Sequence, residues 1–536
     1  MNRPQIDELS QSDSNEGARN ASESGNEEAL PDGWAFGSIK DTTTKVGSGA
    51  TPKGGKAAYK ASGTPLIRSM NVHFEEFNRD GLAFIDDDQA AALDGVTVNA
   101  NDTLLNITGA SIGRVSYVPD DLAKARVNQH VCILRLVESF SQDYLRFYLS
   151  SPAIQNQISG EEYGVTRPAL TKGQVLSFQI PWAPLAEQSR IVSAIESLQT
   201  RSSRARELLS EVGPLIGQLR QSVLRDAFSG KLTADWRRQN PAADGETARE
   251  LLLRIRTERR ERWQSEQLAK YEAKGKKPPK NWQDKYKEPD GILDADALVT
   301  EFNVEKTCNW EVAPLELLVD PEKSIPYGIV KTGDPYRNGV PTVRCGDIKR
   351  FSIAITDLKL VNPDVHRQYR RTYLQGGEVI IAIRGTVGET AVVPAEMKGM
   401  NISREVALIP VLSGVDATFL MYLLACPAAK RLITGQVKGV AQSGINLSDL
   451  RMLPIPLPSL EEQHEIARRI TQALEMLDNI SAVESSIENS LTHLDQSILS
   501  KAFRGELVPQ DPRDEPASEL LARIRQQRQT TKTKRN

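Results

Sequence analysis

Apolar residues recur in alternating four- and three-residue steps through two stretches of the chain. The first stretch runs Ile191, Ile195, Leu198, Ser202, Ala205, Leu209, Val212, Ile216, Leu219 and Val223. The second runs Ile466, Ile470, Ala473, Leu477, Ile480, Glu484, Ile487, Leu491, Leu494 and Ile498. A sustained 3.5-residue repeat predicts a helix with a narrow apolar stripe that needs a partner helix. The two stripes can supply one another, because every position of the second lies 275 residues after its counterpart. The pairing is expected through Ile191, Ile195, Leu198, Leu209, Ile216 and Leu219 on one side. Ile466, Ile470, Leu477, Ile487, Leu491 and Leu494 form the other side, and the competing expectation is ordinary surface helices between two similar domains. A helix over residues 186–227 would be roughly 60 Å long at ~1.5 Å per residue. Pro214 should kink it or start a new helix, and Gly230 and Gly505 suit C-terminal caps.

The repeat extends well beyond the stripes. Gly63-Thr-Pro-Leu-Ile-Arg68 is echoed by Gly339-Val-Pro-Thr-Val-Arg344, and Leu104-Leu-Asn-Ile-Thr-Gly109 by Ile380-Ile-Ala-Ile-Arg-Gly385. Leu185-Ala-Glu-Gln188 matches Leu460-Glu-Glu-Gln463, and Ala227-Phe-Ser-Gly-Lys-Leu232 matches Ala502-Phe-Arg-Gly-Glu-Leu507, all 275 or 276 residues apart. One offset held across each half identifies a tandem duplication. Ahead of each stripe, short β-branched runs broken by Gly, Pro, Asn and Asp predict a strand-rich α/β (α+β) domain. The chain divides into a disordered acidic tail (1–29), a first strand-rich domain (30–184), a helical spacer (185–235), a charged helical linker (236–304), a second strand-rich domain (305–459), a second spacer (460–510) and a short helix with a basic tail (511–536). Within the charged linker, residues 245–290, a charged helix from Glu250 to Lys270 and then Lys274-Gly-Lys-Lys-Pro-Pro-Lys280, read first as a solvated linker, with partner or phosphate contact the lesser reading.

Charge and chemistry narrow the function. A net charge of −3 confines any nucleic-acid contact to local basic patches. No apolar run reaches the ~18 residues of a membrane span, and a secretory signal is absent from the N-terminus as it stands. Cys132, Cys308, Cys345 and Cys426 are far apart and read as reduced thiols of a cytoplasmic protein, and the five histidines lack metal-ligand spacing. The chain carries neither a phosphate-loop motif nor a dinucleotide fingerprint. It also lacks the Asn/Asp-Pro-Pro-aromatic segment of an amino-methylating DNA methyltransferase. Pro363-Asp364 with Glu396-Met-Lys398 matches a nuclease pattern loosely and only in the second copy. A duplicated chain without catalytic groups points to binding.

The repeated words resemble those of type I restriction–modification specificity subunits. The resemblance covers about residues 30–240 and 305–525 and rests on Leu30-Pro-Asp-Gly-Trp34, Pro65-Leu-Ile-Arg68, Thr108-Gly-Ala-Ser-Ile-Gly113, Asn128-Gln-His130, the Leu-x-Glu-Gln helix starts and the Ala-Phe-x-Gly-x-Leu helix ends. The second domain opens on Cys308-Asn-Trp310 instead of the fuller Pro-x-Gly-Trp pattern. This resemblance implies two target-recognition domains, each reading half of an asymmetric bipartite DNA site, on long helices paired as an antiparallel coiled coil about a pseudo-twofold axis. It implies double-stranded DNA, two modification subunits and two restriction subunits as partners. S-adenosylmethionine, ATP and Mg²⁺ would sit on those subunits, with no catalytic residue, metal or cofactor in this chain. A diverged methyltransferase or nuclease and a non-DNA coiled-coil adaptor are the alternatives. Candidate DNA contacts in the first domain are Lys53, Lys56, Lys60, Arg68, Asn71, Arg114, Asn128, Gln129 and Arg167. In the second they are Lys331, Arg337, Arg344, Lys349, Arg350, Arg384, Arg404 and Lys438. Arginine can pair with guanine, hold phosphate or serve a structural ion pair.

Overall fold

A computed structural model describes residues 30–52, 55–74, 76–161, 169–241, 245–289, 301–305, 308–434 and 444–533. The acidic tail, Lys53, Arg167 and Lys438 lie outside the described residues, as does the side chain of Lys56. The chain forms two compact units, residues 1–208 with 487–536 and residues 209–486.

In the first unit an antiparallel sheet runs in the order Thr43–Ser48, Val131–Leu136, Thr103–Asn106, Val115–Tyr117. A second sheet sets Thr64–Ile67 between Ala83–Ile85, antiparallel, and Arg126–Val127, parallel. Ala35–Ser38 pairs with Gln179–Trp182 and joins the start of the domain to its end. The second unit repeats the plan. Val379–Ala382 lies between Thr390–Val392 and Val406–Ile409, and Val340–Val343 between Lys359–Val361 and Asn401–Ile402. Glu311–Pro314 pairs with Pro454–Leu457.

Several strands are buried on both faces, which explains why they read as continuous apolar runs and not as alternating ones. In Val131–Leu136, Val131 and Ile133 enter one core cluster while Cys132, Leu134 and Leu136 enter another. Val379 and Ile381 likewise face away from Ile380 and Ala382. Two glycines sit where main chains almost touch: a Cβ on Gly49 would lie 1.7 Å from the Val127 carbonyl oxygen, and one on Gly328 would lie 1.9 Å from that of Ile402. Cys132, Cys308 and Cys426 are buried free thiols, and burial pushes Cys132 up to about 11 and Cys426 to about 12.

The first stripe forms two helices, Leu185–Ser210 and Val212–Phe228, whereas the second forms one, Leu460–Ala502. Pro214 accounts for the difference: it cannot donate to the Ser210 carbonyl four residues back. Gly230 and Gly505 follow the helix ends in the left-handed region, at φ +86° and +73°. Each Leu-x-Glu-Gln start is locked by the same device. Glu187 accepts from the Trp34 indole at 3.1 Å, and Gln188 accepts from Ser141 N–H at 3.2 Å and donates to the Ala183 carbonyl at 2.9 Å. In the second copy Glu462 accepts from the Trp310 indole at 2.9 Å, and Gln463 from Asp416 N–H at 2.9 Å. Trp310 therefore takes the part of Trp34 without the Pro-x-Gly that precedes it in the first copy.

The segment read as a solvated linker is partly core. Its helix Ala248–Ala273 buries Leu251, Leu252 and Ile255 in the main cluster of the second unit, because these residues fall on one face at helical spacing. The C-terminal helix Ala517–Thr533 does the same for the first unit with Leu520, Leu521 and Ile524. One turn past Ile255, Arg259 is buried and donates to the Val319 carbonyl; Trp263, Trp282 and Tyr286 then pack together, and the run 274–280 is largely exposed. No helix among the described residues is long and apolar enough to cross a membrane.

Candidate nucleic-acid interface

In each unit the parallel strand pair ends in two polar turns that share one edge. On the first, strand Thr64–Ile67 leads into Arg68 to Asn71, and Arg126–Val127 leads into Asn128 to His130. Asn71 is fully buried: its Oδ1 accepts from Arg68 N–H at 3.0 Å and its amide donates to the Asn78 carbonyl at 3.0 Å. Asn128 is buried too and accepts from His130 N–H at 3.1 Å. These two candidates shape the turns and present nothing outward. The Arg68 guanidinium stacks on Tyr59, 5.2 Å from the ring centre, and donates to the Gly81 carbonyl. What faces outward is a chain of hydroxyl, amide and imidazole groups. The Thr51 hydroxyl bonds the Gln129 amide, whose nitrogen lies 2.9 Å from His130 Nε2, and His130 Nδ1 meets the Thr108 hydroxyl. Arg114 is half-buried without an ion pair or side-chain hydrogen bond among the described residues, whereas Lys60 pairs with Asp86 at 3.3 Å.

The second unit builds the same turns with charge. Arg344 takes the place of Arg68, and Asp347 that of Asn71. Asp347 accepts from the Arg344 main-chain N–H at 2.8 Å and from its guanidinium at 2.9 and 3.1 Å. The Cys345 thiol donates to Glu405 at 3.2 Å, and burial, then that bond, push its pKa up. Thr386 donates to the Cys345 carbonyl at 2.8 Å. Arg384 and Arg404 are exposed on this edge, at the positions of Thr108 and Gln129, and neither guanidinium has a protein partner among the described residues. Lys331 and Arg337 are also exposed, on the segment that follows Ile329, whose carbonyl accepts from Arg404 N–H at 2.9 Å. Lys349 ends the first strand of the small hairpin Ile348–Lys349/Ser352–Ile353, and Arg350, in its turn, lies 3.3 Å from Asp478. An exposed pair of this kind contributes only ~0–1 kcal/mol, so phosphate can compete for Arg350, whereas Asp347 is buried and holds Arg344 by two side-chain bonds. In the loose nuclease-like pattern, Asp364 is paired with Arg367.

Thr51, Thr108, His130, Cys345, Thr386 and Glu405 belong to these edges and were not among the candidates. Their signal was present in the repeat: Thr108 against Arg384 and His130 against Glu405 are positions where two copies of one turn differ in charge.

The stripes pair antiparallel within each unit. In the first, Arg206 bonds Glu488 at 3.3 Å and Asp495 at 2.7 Å, while Ile191 and Ile195 share a core with Ile498, Leu499, Ala502 and Phe503. In the second, Arg220 pairs with Asp478, and Ile216, Leu224, Ala227 and Phe228 share a core with Ile466, Ile470, Leu474 and Leu477. The seam is not apolar throughout. Leu198, Leu209 and Leu491 are half-buried, and Leu219, Ile487 and Leu494 are 53%, 43% and 50% exposed. Polar pairs replace apolar contact midway, and on both helices burial drifts one residue past the stripe, to Leu224, Leu474 and Leu499, as expected when 3.6 residues per turn meet a 3.5-residue repeat.

Residues 31–212 and 345–492 match the family model described as type I restriction modification DNA specificity domain. The chain is 27% identical over 417 residues to the type I restriction enzyme EcoBI specificity subunit of Escherichia coli, covering 75% of this chain and 76% of that one. It is 22% identical over 523 residues to the EcoKI specificity subunit of Escherichia coli (strain K12), covering 93% and 96%. The crystal structure of the HsdS subunit from Thermoanaerobacter tengcongensis has the same fold, with a TM-score of 0.51 at 20% identity over 90% of this chain and 99% of that one. A chain from a structure of type I R-M complex assembly and conformational transition gives a TM-score of 0.56 at 19% identity, over 89% and 99%. The duplicated edges, the paired stripes and these likenesses agree: the chain belongs to the type I restriction–modification DNA specificity family, with two recognition domains.

Proposed function

We propose that each recognition domain reads one half of an asymmetric bipartite site in duplex DNA, and that the paired helices set the distance between the halves. One observation carries this reading. Residues that the two copies share, or replace by an equivalent, bond inward: Trp34 and Trp310 to Glu187 and Glu462, Asn71 and Asp347 to the turn they cap. Residues that differ in charge, Thr108 and Arg384, Gln129 and Arg404, His130 and Glu405, lie on the outer edge. A scaffold kept constant beneath a changed edge is what two different half-sites require. Arginine there suits guanine or phosphate, whereas amide, hydroxyl and imidazole groups suit other base edges.

By the same reading the helices hold two modification subunits, and the site so chosen is methylated at adenine N6. Two restriction subunits would add ATP- and Mg²⁺-dependent cleavage. S-adenosylmethionine and ATP bind the partners, and this chain supplies position only. The test is an exchange of residues 30–180 for the matching segment of a related subunit, followed by mapping of methylated adenines. One half of the motif should change and the other stay. A change in both halves, or methyl transfer by the isolated chain, would overturn the proposal.

A further inference from the structure

The second unit carries a basic cleft that none of the described candidate contacts lines. It encloses about 660 Å³ and is lined by Arg367, Arg370, Arg371 and Arg451 together with Tyr327 and Tyr369, and no carboxylate lines it. Two of the cations are partly compensated by neighbouring acids outside the lining: Arg367 pairs with Asp364, and Arg451 lies 3.5 Å from Glu316. Arg371 is exposed and fixed by a 2.6 Å bond to the Lys323 carbonyl, with no carboxylate partner among the described residues. Arg370 is exposed, and its guanidinium has no partner among the described residues.

The fold does not need these arginines, because the first unit builds the same corner without them. Strands Ala83–Ile85 and Lys359–Val361 hold the same register against their neighbours, and each is followed by a capped helix, with Asp86 and Asn362 as the caps. Counting from there, Arg367, Arg370 and Arg371 correspond to Ala91, Asp94 and Gly95. Tyr327 faces Ala407 where Ser48 faces Cys132. In the first unit the corner is closed by an ion pair, Arg126 to Asp94 at 3.2 Å. The second unit has removed the acid and added three cations.

The cleft also lies in line with the outer edge. Tyr327 is bridged to Ala407 and Ile329 to Ser403, beside Arg404. Two residues of extended chain therefore separate the cleft from the edge, roughly 7 Å at ~3.3 Å per residue, or about two base-pair steps of duplex DNA.

We propose that this cleft holds phosphates of the DNA backbone flanking the half-site read by the second domain, a clamp that the first domain lacks. The inference rests on the proposed reading of half-sites. The experiment uses the full chain with its co-purified modification subunits and a duplex containing the motif mapped by methylation. Affinity is measured from 50 to 200 mM salt for the wild type, for R370A/R371A and for the single variant R370Q, which breaks no described bond. Each phosphate contact adds about 0.9 to the slope of log affinity against log salt. The double variant should lose a slope of about 1.8, so that the wild type falls roughly tenfold more than the variant across that range. R370Q should lose about half that slope, and the mapped motif should not change. Methylphosphonate linkages flanking the second half-site should weaken the wild type and leave R370A/R371A unaffected. A wild type without sequence-selective binding would overturn the half-site reading itself. Selective wild-type binding with an unchanged slope in both variants would overturn the clamp alone, as would a changed motif.

Discussion

The two Leu-x-Glu-Gln helix starts look alike in sequence, yet their buried glutamates are satisfied very differently. Glu462 accepts three bonds: Thr233 at 2.7 Å and Arg237 at 2.5 Å on one oxygen, and the Trp310 indole at 2.9 Å on the other. Glu187 accepts only the Trp34 indole at 3.1 Å, and its second oxygen is buried without a partner among the described residues. Replacing Glu462 by Gln puts an amide N–H where one of these donors now points, and leaves the largely buried Arg237 without its counter-charge. Breaking a buried pair from one side costs ~3–5 kcal/mol; because the amide keeps one acceptor, ~2–4 kcal/mol is expected for E462Q. E187Q should change stability by at most ~1 kcal/mol, since the amide carbonyl can keep the indole bond while the charge is relieved. The sign of the pH effect follows. Burial, the largest cause, raises the Glu187 pKa above its ordinary 4.5. The folded state therefore binds this proton more tightly, and the stability contributed by Glu187 falls as pH rises through the interval above 4.5. E187Q should flatten that fall in the first unit. Two units need not unfold together, so hydrogen exchange read by mass spectrometry at each helix start, in a denaturant series, is the suitable assay. Equal losses for E187Q and E462Q would refute the reasoning.

Arg344→Ala, followed by DNA binding against salt, should weaken specific binding by ~1–3 kcal/mol if the arginine leaves Asp347 for a base, and should lower the salt slope by about 1 if it holds phosphate. Unchanged binding would confine Arg344 to its turn. Hydrogen bonding from Arg469 holds Asp235 at about 2, below its ordinary 3.8, so the stability this pair contributes is present above 3.8 and lost as pH falls towards 2. A carboxyl NMR titration should show that value return towards 3.8 in Arg469→Met. Inserting four residues near Ala205 lengthens that helix by ~6 Å. An active variant should then methylate sites whose spacer is longer by one or two base pairs, with both half-site sequences kept. An unchanged spacer length would show that the helices do not set it.

Much of the fold was legible because duplication writes it twice. The stripes, the strand-rich segments ahead of them and the glycine caps each stood out by recurring at one offset. The break near Pro214 followed from a missing N–H. What escaped were features that depend on contacts distant in sequence. Leu251, Leu252 and Ile255 share one helical face, but in so charged a helix that short stripe does not say what covers it, because the partners lie in the strand-rich domain that follows. Asn71 and Asn128 look like ideal base readers by residue type, and only their bonds to Asn78 and His130 show that they face inward. The arginines at 367, 370 and 371 sit in an unremarkable polar stretch, and the fold alone brings them beside Arg451.

The burial along the stripes bears on where stiffness resides. If both helices were equally continuous, a spacer could bend only as a pair. Instead Leu460–Ala502 runs 43 residues without interruption, while its counterpart stops at Ser210 and restarts at Val212. A helix of that length spans ~64 Å and gains no hinge from proline, for it has none. The broken partner contributes most at its outer ends, where Ile191 and Ile195, and then Leu224, Ala227 and Phe228, enter the two domain cores. Near the break, contact passes to the ion pairs of Arg206 and Arg220 and to a close approach of Gly213 to Glu484. Such pairs hold register while tolerating small axial shifts better than interdigitated leucines would. The second stripe is thus one continuous helix, while each half of the first packs into the core of its own unit.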